Sequence, residues 1–178
     1  LTLRVLARLL SYPDAALRAH LDEMRDALRA EQALSAPRLA EIEALIASIE
    51  RQSAIDAEAD YVQLFDSGRS TSLHLFEHVH GDSRDRGPAM IDLVRTYEQA
   101  GLFLGEGQMP DHLPVVLEYA STQPPREARA FLAEIAHILN VILAALAKRA
   151  SRYASVLGAL IELAGETART VAVPDDVP

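Results

Sequence analysis

Almost the whole chain carries apolar residues at every third or fourth position, the period that an α-helix turns into a single buried face. Leu3, Leu6 and Leu10 open the pattern, and Tyr153, Val156, Leu157, Leu160 and Ile161 close it. Strand-like alternation is missing, so the expected class is all-α. Prolines and glycines cut the pattern into pieces. Tyr12-Pro13-Asp14 stops a first helix, because a residue preceding proline is pushed out of the helical region. Leu17, Leu21, Met24 and Leu28 mark a second. Ser35-Ala36-Pro37 starts a third, since proline costs no hydrogen bond in a first turn, and Leu39, Ile42, Leu45, Ile46 and Ile49 form its stripe. Ser53 to Asp56 opens a fourth, which runs out at Asp66-Ser67-Gly68.

Leu73, Phe76 and Val79 suggest a short helix with its apolar side inward, broken at Gly81. Pro88 begins another, with Met90, Leu93, Val94 and Tyr97 inward and Gly101 as its stop. Gly105 to Pro110 reads as a flexible connector. Asp111 is placed to cap the helix that buries Leu113, Val116, Leu117 and Ala120. After Pro124-Pro125 one long helix runs to about Arg149, and its wide apolar face makes it the central element. The expected fold is a single compact helical bundle of about eight to ten helices over residues 1–166. Residues 167–178 lose the pattern and read as a frayed or disordered tail.

A chain of 178 residues can bury a core large enough to need no staple. Cysteine is absent, which removes disulfides, thiolate metal sites and a thiol nucleophile and fits a reducing cytoplasm, the expected location. Apolar runs such as Ile138 to Ala147, interrupted by Asn140, fall short of the ~20 residues of a membrane span, and no signal peptide opens the sequence at Leu1. With 26 acidic against 17 basic residues, the net charge of −9 repels nucleic acid and favours a basic peptide. No phosphate loop, nucleophile elbow or dinucleotide fingerprint occurs.

Chemistry concentrates in one region. Four of the six histidines fall between positions 74 and 112, where Asp82, Arg84, Asp85, Arg86 and Asp111 also gather. His74-Leu-Phe-Glu-His78 matches a zinc-peptidase signature, in which two imidazoles four apart on one helical face hold the metal and the glutamate serves as base. A zinc-dependent hydrolase using His74, Glu77 and His78 is therefore one reading, with Asp111, His112, Glu58 or His80 available by type as a third ligand. The other is a polar surface that grips a partner polypeptide through imidazole and carboxylate groups. Tyr61 and Phe65, one turn apart, could line an apolar groove beside it or belong to the core.

Three segments, Tyr61-Val-Gln-Leu-Phe-Asp66, Ser72-Leu-His-Leu-Phe-Glu-His-Val-His-Gly-Asp-Ser-Arg-Asp-Arg-Gly87 and Met109-Pro-Asp-His-Leu-Pro114, resemble the nitrate reductase molybdenum cofactor assembly chaperones, within the all-helical TorD-like group of molybdoenzyme chaperones. The resemblance extends from Leu10 to Glu118 and weakens beyond. Where relatives in the broader group often carry an acidic residue before Pro-Asp-His, Gln108 and Met109 stand here. The resemblance implies a non-enzymatic, system-specific chaperone with no cofactor of its own. It implies binding to the N-terminal segment of the catalytic (alpha) subunit of respiratory nitrate reductase, holding the apoenzyme ready for molybdenum cofactor insertion without joining the final enzyme. Carried over position by position, it assigns client binding to Tyr61, Phe65, Asp66, His74, Glu77, His78, His80, Asp85, Arg86, Asp111 and His112. A helical peptide-binding adaptor with another client is the remaining alternative, and a monomer or weak homodimer is expected.

Overall fold

The computed structural model describes residues 1–81 and 83–168. Among these described residues eleven helices follow in chain order: α1 (Thr2–Leu9), α2 (Ala15–Ala19), α3 (Leu21–Glu31), α4 (Ala36–Arg51), α5 (Ala54–Phe65), α6 (Leu75–Val79), α7 (Arg86–Gln99), α8 (Leu113–Ser121), α9 (Pro125–Glu134), α10 (Ala136–Lys148) and α11 (Ala154–Leu163). The described residues contain no strand, only one isolated antiparallel bridge between His74 and His112. The all-α class is therefore observed. The expected tail lies, from residue 169 on, outside the described residues.

Local signals start and stop most helices. The Asp14 carboxylate accepts from the Leu17 N–H at 2.8 Å, capping α2, and the Ser53 hydroxyl accepts from the Asp56 N–H at 3.1 Å, capping α5. Gly101, at φ +81°, closes α7 in the left-handed region that favours glycine. Two breaks differ from the sequence expectation, and neither carries a proline or glycine. The expected second helix divides at His20. Arg18 donates to the carbonyls of Ile49 (2.9 Å) and Gln52 (2.7 Å), so α2 is anchored to the C-terminal end of α4 while α3 packs along it. The expected long helix divides at Ile135, where α9 and α10 meet at 65°. No single helix among the described residues is long and apolar enough to cross a membrane.

The centre of the molecule is α11 rather than the 125–149 segment. It buries every residue from Ser155 to Ile161 and packs on α10, α4, α9 and α1. Each fully buried leucine or isoleucine there contributes about 1.5–3 kcal/mol relative to exposure. Gly158 leaves room for the Arg38 guanidinium reaching over from α4, which a Cβ at that position would displace. α1 lies against α8 and α3 and completes the core with Leu6, Leu9 and Leu10. The short α6 rests on α10. At the other extreme, the fourteen-residue α7 buries only Tyr97.

Candidate functional site

Two loop segments meet where α6 and α8 begin. The Leu113 N–H donates to the Leu73 carbonyl at 2.8 Å, and the Leu75 N–H donates to the Asp111 carbonyl at 3.0 Å. This antiparallel pairing holds His74 opposite His112, and their rings stack with centroids 4.8 Å apart and planes 26° apart. Leu73, Leu75 and Leu113 bury their side chains beneath the pair and fix the register.

Asp111 does not cap α8, as its position in the sequence suggests. His112 occupies that N-cap, and the fully buried Asp111 carboxylate turns to the other helix, its Oδ2 accepting from the Phe76 N–H at 3.1 Å. Oδ1 has no hydrogen bond and faces His74 Nδ1 at 3.6 Å, an ion-pair contact longer than a hydrogen bond. The carboxylate facing Nδ1 raises the His74 pKa above its ordinary 6.5, against burial; Glu77 adds to the rise and Arg86 opposes it. Burial pushes the Asp111 carboxyl up, but His74 and the Phe76 N–H outweigh it, and its pKa ends below the ordinary 3.8. His112 moves the other way. Burial and the charge of His74 lower its pKa, and Asp111 and Asp66 only partly offset them.

This geometry separates the residues of the zinc-like motif. His74 is the extended N-cap of α6 (φ −84°, ψ 103°), so it shares no helical face with His78. The His78 ring instead meets the Ser72 carbonyl at 2.8 Å; a carbonyl only accepts, so Nε2 carries the proton. His80 stands edge-on to Phe76 at 5.2 Å. Among the described residues no group of three or more His, Asp or Glu side chains is placed to hold a metal ion.

The other expected site residues fall into two sets. Glu77, His78 and His80 are half-buried on or just after α6, Asp85 is exposed at the start of α7, and Arg86 reaches the Gly81 carbonyl at 3.5 Å. Asp66 is exposed at the end of α5. Tyr61 and Phe65 lie instead in the core, packed on each other and on Tyr153. The Tyr61 hydroxyl donates to the Leu10 carbonyl at 2.6 Å, and burial raises its pKa.

The sequence reading placed several apolar residues inward that the fold leaves accessible. Of the residues expected inward, Val79 on α6 is 49% exposed and Met90, Leu93 and Val94 on α7 are only half-buried; Ile91, to which the sequence reading gave no place, is 55% exposed. A helical stripe looks the same whether a core or a partner covers it, so periodicity had no means of separating these residues from the interior.

The model of the nitrate reductase delta subunit family matches residues 11–158, a span that contains both the loop junction and α7. The chain belongs to that family. It is 47% identical over 160 residues to the nitrate reductase molybdenum cofactor assembly chaperone NarJ of Escherichia coli strain K12, covering 90% of this chain and 68% of NarJ. NarW of the same strain is 36% identical over 175 residues, covering 98% of this chain and 73% of NarW. An Archaeoglobus fulgidus protein named for redox enzyme maturation shares the fold, with a TM-score of 0.60, 19% identity and 92% of each chain covered. In this chain the described residues of the Ser72–Gly87 motif comprise a loop, the five-residue α6 and the entry to α7, and one of its polar groups, His74, faces Asp111 ahead of α8.

Proposed function

We propose that the chain is a system-specific assembly chaperone, acting in the cytoplasm without catalysis of its own, that binds the N-terminal segment of the catalytic subunit of respiratory nitrate reductase. It holds the apoenzyme competent for molybdenum cofactor insertion and leaves when assembly is complete. The observation carrying this reading is α7, a fourteen-residue helix with a single buried side chain, whose first residue, Arg86, reaches the Gly81 carbonyl just after α6 and its half-buried Glu77 and His78. Kinship with NarJ supports the choice of client.

A client helix that covers Val79, Met90, Ile91, Leu93 and Val94 gains about 25 cal/mol per Å² of apolar surface removed from water. After the costs of ordering and immobilisation this reaches micromolar binding, roughly −8 kcal/mol. Glu77, His78, His80, Asp85 and Arg86 then orient the helix, and the net charge of −9 draws a basic segment toward it. His74, Asp111 and His112 hold the α6 entry in place rather than touching the client. Calorimetric titration with a peptide of the catalytic subunit's N-terminus tests the reading. Saturable binding that weakens in Ile91→Asp supports it; no heat at millimolar peptide contradicts it.

A further inference from the structure

A pocket of about 350 Å³ opens between α4, α5 and the turn that joins α10 to α11. That volume lies at the small end of ligand sites and suits a molecule of amino-acid size. Its floor is apolar, built from Leu45, Ile49, Ala57 and Leu64. Ala150, at φ +52°, reverses the chain directly after α10 and brings Arg149, Ser151, Arg152 and Tyr153 to the pocket wall.

Tyr153 is 9% exposed and its ring is fixed against Tyr61 and Phe65. A polar group buried to that degree normally has a partner. Of the three buried tyrosines among the described residues, Tyr61 donates to the Leu10 carbonyl and Tyr97 to the Pro110 carbonyl, whereas the Tyr153 hydroxyl has no hydrogen bond there. Burial, and after it the charge of Asp60, push this hydroxyl up to about 12, so it keeps its proton and stands ready to donate. Opposite charges also line the pocket without meeting. Asp60 on α5 has as its hydrogen-bond partner the neutral Gln52 amide, at 2.5 Å, and the Arg152 guanidinium has neither an ion pair nor a hydrogen bond among the described residues. Arg25, Arg29 and Arg38, by contrast, each reach a carboxylate. A carboxylate and a guanidinium held apart over an apolar floor ask for a molecule that carries both a cation and an anion.

We propose that this pocket binds a free α-amino acid with an apolar side chain, its carboxylate on Arg152 and the Tyr153 hydroxyl, its ammonium on Asp60, and its side chain on Leu45, Ile49 and Leu64. A zwitterion satisfies all three polar groups at once, whereas the terminus of a polypeptide carries one of the two charges and leaves the other group unmet. The lining includes no residue of α6 or α7, so the site is separate from the client surface there.

Calorimetric titration of the purified chain with L-leucine, leucinamide, isovalerate and glycine tests the assignment. L-leucine is expected to bind with a Kd of about 0.1–1 mM, a modest affinity set by its few heavy atoms. Leucinamide lacks the carboxylate, isovalerate the ammonium and glycine the side chain, and each binds at least about tenfold weaker. Arg152→Gln and Asp60→Asn, both at exposed positions, and Tyr153→Phe, which keeps the packed ring, each weaken L-leucine. All three variants keep the parent's melting temperature and capture of the client peptide. No heat with tens of millimolar L-leucine, leucinamide or isovalerate binding as well as L-leucine, or parent-like binding by Arg152→Gln overturns the proposal. Displacement of L-leucine by the client peptide overturns it too, by giving the pocket to the client.

Discussion

Asp111 caps a helix that begins well before it in the chain: its Oδ2 accepts from the Phe76 N–H at 3.1 Å, while its other oxygen faces His74. One buried carboxylate thus fastens the start of α6 to the start of α8. Asp111→Ala leaves the Phe76 N–H without an acceptor and His74 without its counter-charge, at a cost of about 1–3 kcal/mol. Asp111→Asn keeps an acceptor for Phe76 and loses less. Urea unfolding measures both, and an alanine variant within about 0.5 kcal/mol of the parent removes the cap from the account.

The two stacked imidazoles titrate apart. His74, raised by Asp111, contributes stability that is present below its ordinary 6.5 and is lost as pH climbs through its raised value. His112, lowered by burial, contributes stability present above 6.5 and lost as pH falls through its depressed value. Asp111, lowered overall, adds stability above 3.8 that is lost in acid. NMR titration of the ring protons should place His74 above 6.5 and His112 below it, with Asp111→Asn bringing His74 down. Coincident titration of the two rings contradicts the pairing.

Tyr61 tests whether the core aromatics serve the client directly. Tyr61→Phe keeps the ring but leaves the buried Leu10 carbonyl short of its 2.6 Å partner, for a loss of about 1–3 kcal/mol. Peptide capture at a temperature where the variant stays folded should equal the parent's. A tenfold loss of capture without a change in stability would return Tyr61 to the binding surface.

The α6–α7 surface makes the opposite prediction. Ile91→Asp, Glu77→Ala and Asp85→Arg change exposed or half-exposed positions, so stability stays within about 0.5 kcal/mol. Capture of the client peptide should fall about tenfold for Ile91→Asp and less for the two charge variants, in a pull-down scored against the parent. Parent-like capture by all three moves the client elsewhere.

Zinc should not raise the melting temperature. His74 is committed to Asp111 and His78 to the Ser72 carbonyl, so a metal would have to break both contacts. A shift of several degrees with one equivalent of zinc, abolished by His78→Ala, would revive the hydrolase reading.

Helix type and most boundaries were legible because Pro37, Ser53 and Gly101 act locally on their own backbone. The breaks at His20 and Ile135 were not. No turn residue advertises either one, and beside the first Arg18 reaches across the fold to the end of α4. Asp111 misled for a related reason: an aspartate before a helix reads as that helix's cap, yet the bridge between residues 73–75 and 111–113 brings a different N-terminus nearer. The polar cluster was visible as composition, and the resemblance named its family. What remained hidden was accessibility, since Val79, Met90, Leu93 and Val94 carry the same apolar pattern as core residues. The pocket flanked by Asp60, Arg152 and Tyr153 was equally invisible, being assembled from segments far apart in sequence.

The central claim is that this surface grips an unfinished nitrate reductase. Co-purification of the tagged chain from cells making nitrate reductase, with the captured protein identified and its molybdenum content measured, tests it most directly. The account predicts recovery of the catalytic subunit without its cofactor, lost when its N-terminal segment is deleted. Recovery of no nitrate reductase, or of the mature, molybdenum-loaded enzyme with its N-terminus dispensable, would contradict it.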